Sequence, residues 1–408
     1  MIAISGGKVL TMSGRNYDVG TVLVKDGKIY EVMEGLRQPE GWEVINAAGM
    51  VVMPGLVDAH CHLGIVEEIY RIEGDDCNEA TDPVTPHLRA VDAVNPDDLG
   101  FMDALSGGVT TVVTGPGSAN VIGGEMLAMK TWGKSLDEMI LKFPAGLKAA
   151  LGENPKRTYG GQKKAPLTRM ASAALLREAL VSAQDYMRKL EKCAAGGDPP
   201  DRDLKMESII RVLKGEIPLR VHAHRADDIM TAVRIAREFN LELVIEHCTE
   251  GHKVAADLAR HGVKAVIGPV IGNRAKVELQ GISLETARVL AGAGVNFAIM
   301  TDHPVVPIQY LGISAGLAVR GGLEEEKALR AVTLDAAAVL GMDHRLGSIE
   351  PGKDADIVIM DGHPFDVRSR AVKVMVSGQI VYKCEDKCSN KYFSQSPTFL
   401  QIKSNYCG

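Results

Sequence analysis

Short apolar runs broken by turn signals open the chain. Residues 9–12, 20–24 and 28–32 alternate or run apolar, Asp26-Gly27 marks a hairpin turn, and a further run at 50–53 ends at Pro54-Gly55. This spacing predicts a small β unit over residues 1–54. From Leu56 the pattern changes. Apolar runs at 56–59, 110–114, 146–150, 219–223, 243–246, 265–267 and 297–301, with one more near 121–126, alternate with helical stretches at 96–106, 167–193, 226–239, 253–259, 284–292 and 324–340. Continuous apolar strands separated by helices predict a parallel sheet covered on both faces. Some eight such units over residues 55–354 match a (β/α)8 TIM barrel in size. Short strands return at 355–360, 371–377 and 379–382, with Ser377-Gly378 as a turn. The expected fold is therefore α/β: a barrel over 55–354, with a small β-sandwich built from both chain ends, 1–54 and 355–383. Residues 384–408 are polar and lack periodicity, which predicts a poorly ordered tail.

Composition narrows the function class. Of 408 residues, 46% are apolar and 24% charged, as in an ordinary globular enzyme. Aromatics are only 4%, so the core rests on aliphatic residues and Met. The net charge is −6 with no basic stripe, which argues against nucleic acid as a partner. No apolar run reaches membrane-spanning length, and MIAISGGKVL does not read as a secretory leader. A cytoplasmic protein acting on a small molecule is expected, with homo-oligomer formation left open. The seven cysteines, irregularly spaced, do not read as a disulfide framework. Cys384 and Cys388 read as two solvated thiols rather than a metal pair.

The chemistry lies at the ends of the apolar runs. Asp58-Ala59-His60-Cys61-His62 closes one, and residues two apart in a strand share a face, so His60 and His62 can point at one ion. Val221-His222-Ala223-His224 closes a second, Ile245-Glu246-His247 a third and Met300-Thr301-Asp302-His303 a fourth. Most of the eleven histidines sit at these four places. Barrel active sites gather side chains from the C-terminal ends of different strands, and imidazole suits zinc and other borderline metals. Asp302 also reads as a helix N-cap, because Pro304 follows it. The polar loop after the first strand carries Arg71, His87 and Arg89, which could meet a substrate carboxylate or simply be solvated.

In this order the motifs resemble the amidohydrolase superfamily. Pro54-Gly55-Leu56-Val57-Asp58-Ala59-His60-Cys61-His62 is similar to its first-strand signature. Gly108-Val109-Thr110-Thr111-Val112, the spaced His222, His247 and Asp302, and the string from Gly347-Ser348-Ile349-Glu350-Pro351 to Asp356 continue the match to about residue 382. The nearest subgroup is the imidazolonepropionase-related hydrolases, with prolidase-like and carboxypeptidase-like members. The resemblance implies a divalent metal, zinc above all, as one or two ions. His60 and His62 would hold the more buried ion, and His222 and His247 a second one or the remainder of a single site. Asp302 would bind metal and take the proton of the attacking water. Many relatives bridge two ions with a carboxylated lysine on the fourth strand; Lys148 is the candidate here and Glu153 its rival. His224 and His303 would contact substrate or support the ligands by hydrogen bonds. The implied reaction is hydrolysis of a C–N bond in an amide, cyclic amide or dipeptide. A deaminase of an aminated ring is one alternative, lowered because Arg225 stands where such enzymes carry a glutamate after His222. A non-catalytic scaffold is the other.

Overall fold

The computed structural model describes residues 1–69, 72–195, 197–198 and 200–384. Eight strands line the barrel in chain order: Leu56–Cys61, Val109–Thr114, Ile122–Lys130, Ile140–Ala150, Leu219–Ala223, Leu243–His247, Lys264–Ile267 and Phe297–Ile299. Each is hydrogen-bonded to the next. Closure between the last and the first comes from two backbone bonds above the strands, His62 N to His303 O (2.8 Å) and Asp302 N to His60 O (3.3 Å).

Helices follow where the apolar spacing is three to four. In Arg169–Ala194 the side chains of Ala173, Leu176, Leu180 and Ala183 form the buried stripe, and Thr168 caps the start by accepting from Ala171 N. Ala226–Phe239 stops at Asn240, which takes the left-handed conformation (φ +53°) that ends many helices. The helix expected over 324–340 is two, Glu325–Ala331 and Leu334–Val339. Among the described residues no helix is long and apolar enough to cross a membrane.

The barrel departs from an all-parallel sheet. Ile122–Lys130 runs antiparallel to both neighbours, pairing Thr111 with Lys130 on one side and Glu125 with Leu147 on the other. The connection at 115–121 explains this, since a parallel return needs a crossover of a dozen or more residues. The strand reads as mostly apolar sequence, Glu125 and Lys130 apart, and all of it is buried. Gly124 (φ +147°) lets it pass the first loop; a Cβ there would stand 2.6 Å from Leu88 O.

The second sheet has eight strands drawn from both ends of the chain. The first is Ile2–Val9 rather than a run at 9–12, and Glu43–Asn46 is a strand that periodicity did not mark. Ile357–Met360 pairs antiparallel with Val51–Pro54, immediately before the first barrel strand. Below the barrel, Lys130 ties the two sheets together. Its ammonium meets Asp354 (2.9 Å) and Asp356, while Lys28 and Arg345 (2.8 Å) also reach Asp354. Of the tail, Cys384 is described, and Cys388 and Cys407 lie outside the described residues.

Candidate metal centre

At the C-terminal ends of the barrel strands two groups of donors face inward. His60, His62 and Asp302 form one, and His222, His224 and His247 the other; within each group the donor atoms lie within 4.8 Å of one another. The groups adjoin, with ring centroids of His60 and His247 5.7 Å apart. Asp302 Oδ1 is 3.2 Å from His60 Nε2 and 3.4 Å from His62 Nε2. No helix starts at Asp302, so its carboxylate serves this cluster and not a cap.

Local structure aims the rings. His62 Nδ1 is 2.7 Å from Gly115 O, His247 Nδ1 is 3.0 Å from Gly268 O, and His224 Nδ1 is 2.7 Å from Thr249 Oγ1. A ring nitrogen held by a carbonyl oxygen carries the hydrogen, which leaves Nε2 as a bare donor facing the cluster. His247 (φ +70°) and Asp302 (φ +56°) sit on left-handed backbone, a strain of about 1–3 kcal/mol each that the surroundings must impose.

Electrostatics agree with cation binding. Burial, and then the neighbouring imidazoles, hold His247 well below the usual range and His224 down to about 3. His222 is also lowered, chiefly by burial. Burial opposes ionisation of Asp302, yet the surrounding His247, His60 and His62 outweigh it and hold the carboxyl well below the ordinary range. A divalent cation requires neutral imidazoles and ionised carboxylates. His222, His224, His247 and Asp302 are shifted that way. His62, although burial lowers it, is raised well above its usual range by Cys77 and Asp302 and would release a proton on binding an ion.

Beneath the two groups lies a layer of buried charge. Glu246 Oε1 is 3.0 Å from His60 Nδ1 and accepts from Arg220 Nε (2.8 Å), while its other oxygen meets Lys148 Nζ. Lys148 lies on the fourth strand, fully buried, with Nζ 3.5 Å from His60 Nε2. Arg220 also donates to Ala59 O (2.6 Å), tying the first strand to the fifth. Asp58 accepts from Thr301 N (3.2 Å) and Thr301 Oγ1 (2.5 Å), which binds the first strand to the eighth and fixes His60 relative to Asp302. Burial pushes Asp58 up to about 7, partly offset by those bonds.

The other sequence-marked residues fall in several places. His224 joins the second donor group. His303 is buried with its Nε2 3.5 Å from Glu68 Oε1 and belongs to neither group. Glu153 starts the helix Glu153–Gly161, and its carboxylate accepts from Glu278 N (3.4 Å). His87 and Arg89 line a cavity of about 520 Å³ with Asp75, Asp76, Cys77 and Glu79. Cys77 also lies against His62, so this cavity adjoins the first donor group. Arg71 lies outside the described residues.

Three residues at the centre were not singled out from sequence: Asp58, Glu246 and Glu278. Asp58 and Glu246 lie within quoted motifs, two places before His60 and one before His247, where strand alternation could have directed attention. Glu278 stands in the polar run 272–281, where no periodicity marks it.

The pattern of the amidohydrolase family matches residues 51–381. The amidohydrolase tasK of Hapsidospora irregularis is 31% identical over 388 residues, covering 88% of this chain; the chain spans 39% of that longer relative. The imidazolonepropionase of Thermoplasma acidophilum is 25% identical over 372 residues, 86% of this chain and 84% of that protein. The crystal structure of an amidohydrolase from Thermotoga maritima MSB8 is 44% identical, with a TM-score of 0.91 over 94% of this chain and 100% of that one. Barrel, clustered donors and sequence agree: the chain belongs to the amidohydrolase family.

Proposed function

We propose that the chain is a metal-dependent hydrolase of a C–N bond in an amide, cyclic amide or dipeptide. The observation that carries this reading is the meeting of His60, His62 and Asp302 with His222, His224 and His247 at the strand ends. His60, His62 and Asp302 would hold one divalent ion, and His222 and His247 a second; an imidazole-rich set with one carboxylate suits zinc. A bound ion there would make water acidic enough to attack at neutral pH and would polarise the scissile carbonyl. Asp302 takes the proton from the attacking water on its carboxylate and returns it to the leaving nitrogen, so that amine and carboxylate products separate. Glu246 holds Nδ1 of His60 and so keeps Nε2 turned toward Asp302. His303 and His87 would meet the substrate, His303 from the eighth-strand loop and His87 from the adjoining cavity.

Lys148 enters this reading in one of two states. Paired with Glu246 it is an ammonium that neutralises the buried layer. After losing a proton and adding CO₂ it would be a carbamate beside His60, the bridge proposed for the metal-loaded chain. Its position favours it over Glu153, whose carboxylate is turned to backbone. Incubation with ¹³C-labelled bicarbonate and metal distinguishes the states. A carbamate carbon signal absent from Lys148→Met supports the bridge, and no such signal in the loaded chain leaves Lys148 as the ammonium.

The test of function is a panel of N-acyl amino acids, dipeptides and cyclic amides with added zinc, using Asp302→Asn as blank. Release of an amine or amino acid that the blank lacks supports the reading. Ammonia released only from aminated rings would select the deaminase. Turnover undiminished in Asp302→Asn would remove Asp302 from the chemistry.

A further inference from the structure

Glu278 is buried (1% exposed) on the loop that follows the seventh barrel strand. Among the described residues its Oε1 has no hydrogen-bond partner, and lies 3.7 Å from His222 Nε2 and 3.6 Å from His224 Nε2. Its Oε2 is engaged, accepting from Glu153 N at 3.0 Å. A carboxylate oxygen left without a hydrogen bond in the interior is costly. Lys276 does not relieve it: its Nζ is 3.8 Å away and bonds Asn154 Oδ1 (3.1 Å) instead. Two donors each about 2.0–2.2 Å from one tetrahedral ion lie about 3.3–3.6 Å apart; Oε1 stands at the upper edge of that range from His224 Nε2 and just beyond it from His222 Nε2.

We infer that Glu278 and His224 are ligands, and that with His222 and His247 they complete a four-donor site for a divalent ion. The inference rests on the metal-dependent reading above and adds two ligands to it. Three neutral imidazoles and one carboxylate carry one negative charge, which suits a divalent ion of borderline softness such as zinc or cobalt. The loop is held for this task. Glu153 and Glu278 exchange backbone-to-carboxylate bonds (3.0 and 3.4 Å). Gly152 (φ +82°) makes the docking feasible, since a Cβ there would stand 3.0 Å from Glu278 Oε2. His224 Nδ1 is fixed on Thr249, so its Nε2 has one orientation. A second ion held in this way has four protein donors before any bridge from Lys148.

The test uses cobalt(II) added to the full chain after stripping with a chelator, read by bound metal per chain and by the visible spectrum. The wild-type chain should take up two ions. Glu278→Gln and His224→Ala should each keep one and bind the other at least about tenfold more weakly, with the lost band the one that His62→Ala retains. Glu68→Gln, beside His303, should keep both. If Glu278→Gln does not fold, His224→Ala carries the test, because it leaves the Glu153 bonds in place. Two ions at wild-type affinity in both variants would overturn the assignment. So would a single ion lost in His62→Ala and untouched in Glu278→Gln, although the hydrolase reading would then survive. No ion bound by the wild-type chain would defeat both.

Discussion

The barrel carries buried charge at both ends, and the two ends are built differently. At the N-terminal end, Lys130 is enclosed by Asp354 and Asp356, and Lys28 and Arg345 complete the pairing of Asp354. Asp356 also accepts from Ser377 N (2.8 Å). Each charge has an opposite charge in contact. At the C-terminal end the imidazoles and carboxylates offer lone pairs to one another, and among the described residues the atoms left without hydrogen-bond partners include Glu278 Oε1, His222 Nδ1 and both ring nitrogens of His303. Both are buried and both are charged, so burial does not separate a joint from a site. Unpaired polar atoms among the site's own ionisable groups do: buried polar groups are ordinarily satisfied, and one that is not asks for an explanation such as a further species.

The largest expected contrast is in activity. Asp302→Asn should lower hydrolysis by about 10²–10⁴-fold, the usual worth of a positioned acid–base, while the metal-free melting temperature stays within a few degrees of wild type. An equally large loss of metal-free stability would mean that Asp302 is also structural.

The joint should behave in the opposite sense. Lys130→Met takes from Asp356 its cationic partner and leaves Asp354 with Lys28 and Arg345, and losing one partner of a buried ion pair costs about 3–5 kcal/mol. Urea denaturation should show that loss, and turnover per folded molecule should change less than threefold, about 0.6 kcal/mol. A large drop in turnover of the folded fraction would couple the two ends.

Removing metal sharpens the difference. Ions that bind only the folded chain stabilise it by about 2.7 kcal/mol at a hundredfold excess over Kd. A chelator should therefore lower the melting temperature of wild type and Lys130→Met alike, and should lower that of His60→Ala, which has one ion fewer to lose, by less.

The smallest effect is the acid limb. Burial alone would raise the Asp354 carboxyl, but Lys130, Lys28 and Arg345 together hold it below its ordinary 3.8. Its stabilising contribution is therefore complete above 3.8 and disappears as pH falls through the lower folded value. Urea midpoints between pH 5 and pH 2, read with a calorimetric check, should fall more steeply for wild type than for Lys130→Met.

Much of this contrast could be read from sequence, and the unread part has a physical cause. His60, His62, His222, His247 and Asp302 are visible because strand ends are marked locally, by an apolar run that stops at a polar pair. Glu278 is not, because its role comes from a loop folding back on His222 and His224, residues more than fifty positions earlier in the chain. Asp354 and Asp356 belong to a quoted motif, yet their partner Lys130 is over two hundred positions away. The direction of Ile122–Lys130 was missed for another reason: a strand buried on both faces has the same apolar pattern whichever way it runs.

The central claim is that the C-terminal end is a metal-dependent C–N hydrolase. The most direct measurement is hydrolysis of the best amide from the panel by chain stripped of metal, then titrated with zinc while bound metal is counted. The account predicts negligible turnover without metal, recovery that rises in step with bound zinc, and no recovery in His60→Ala. Full turnover by the stripped chain, or zinc-loaded wild type that cleaves none of the panel, would contradict it.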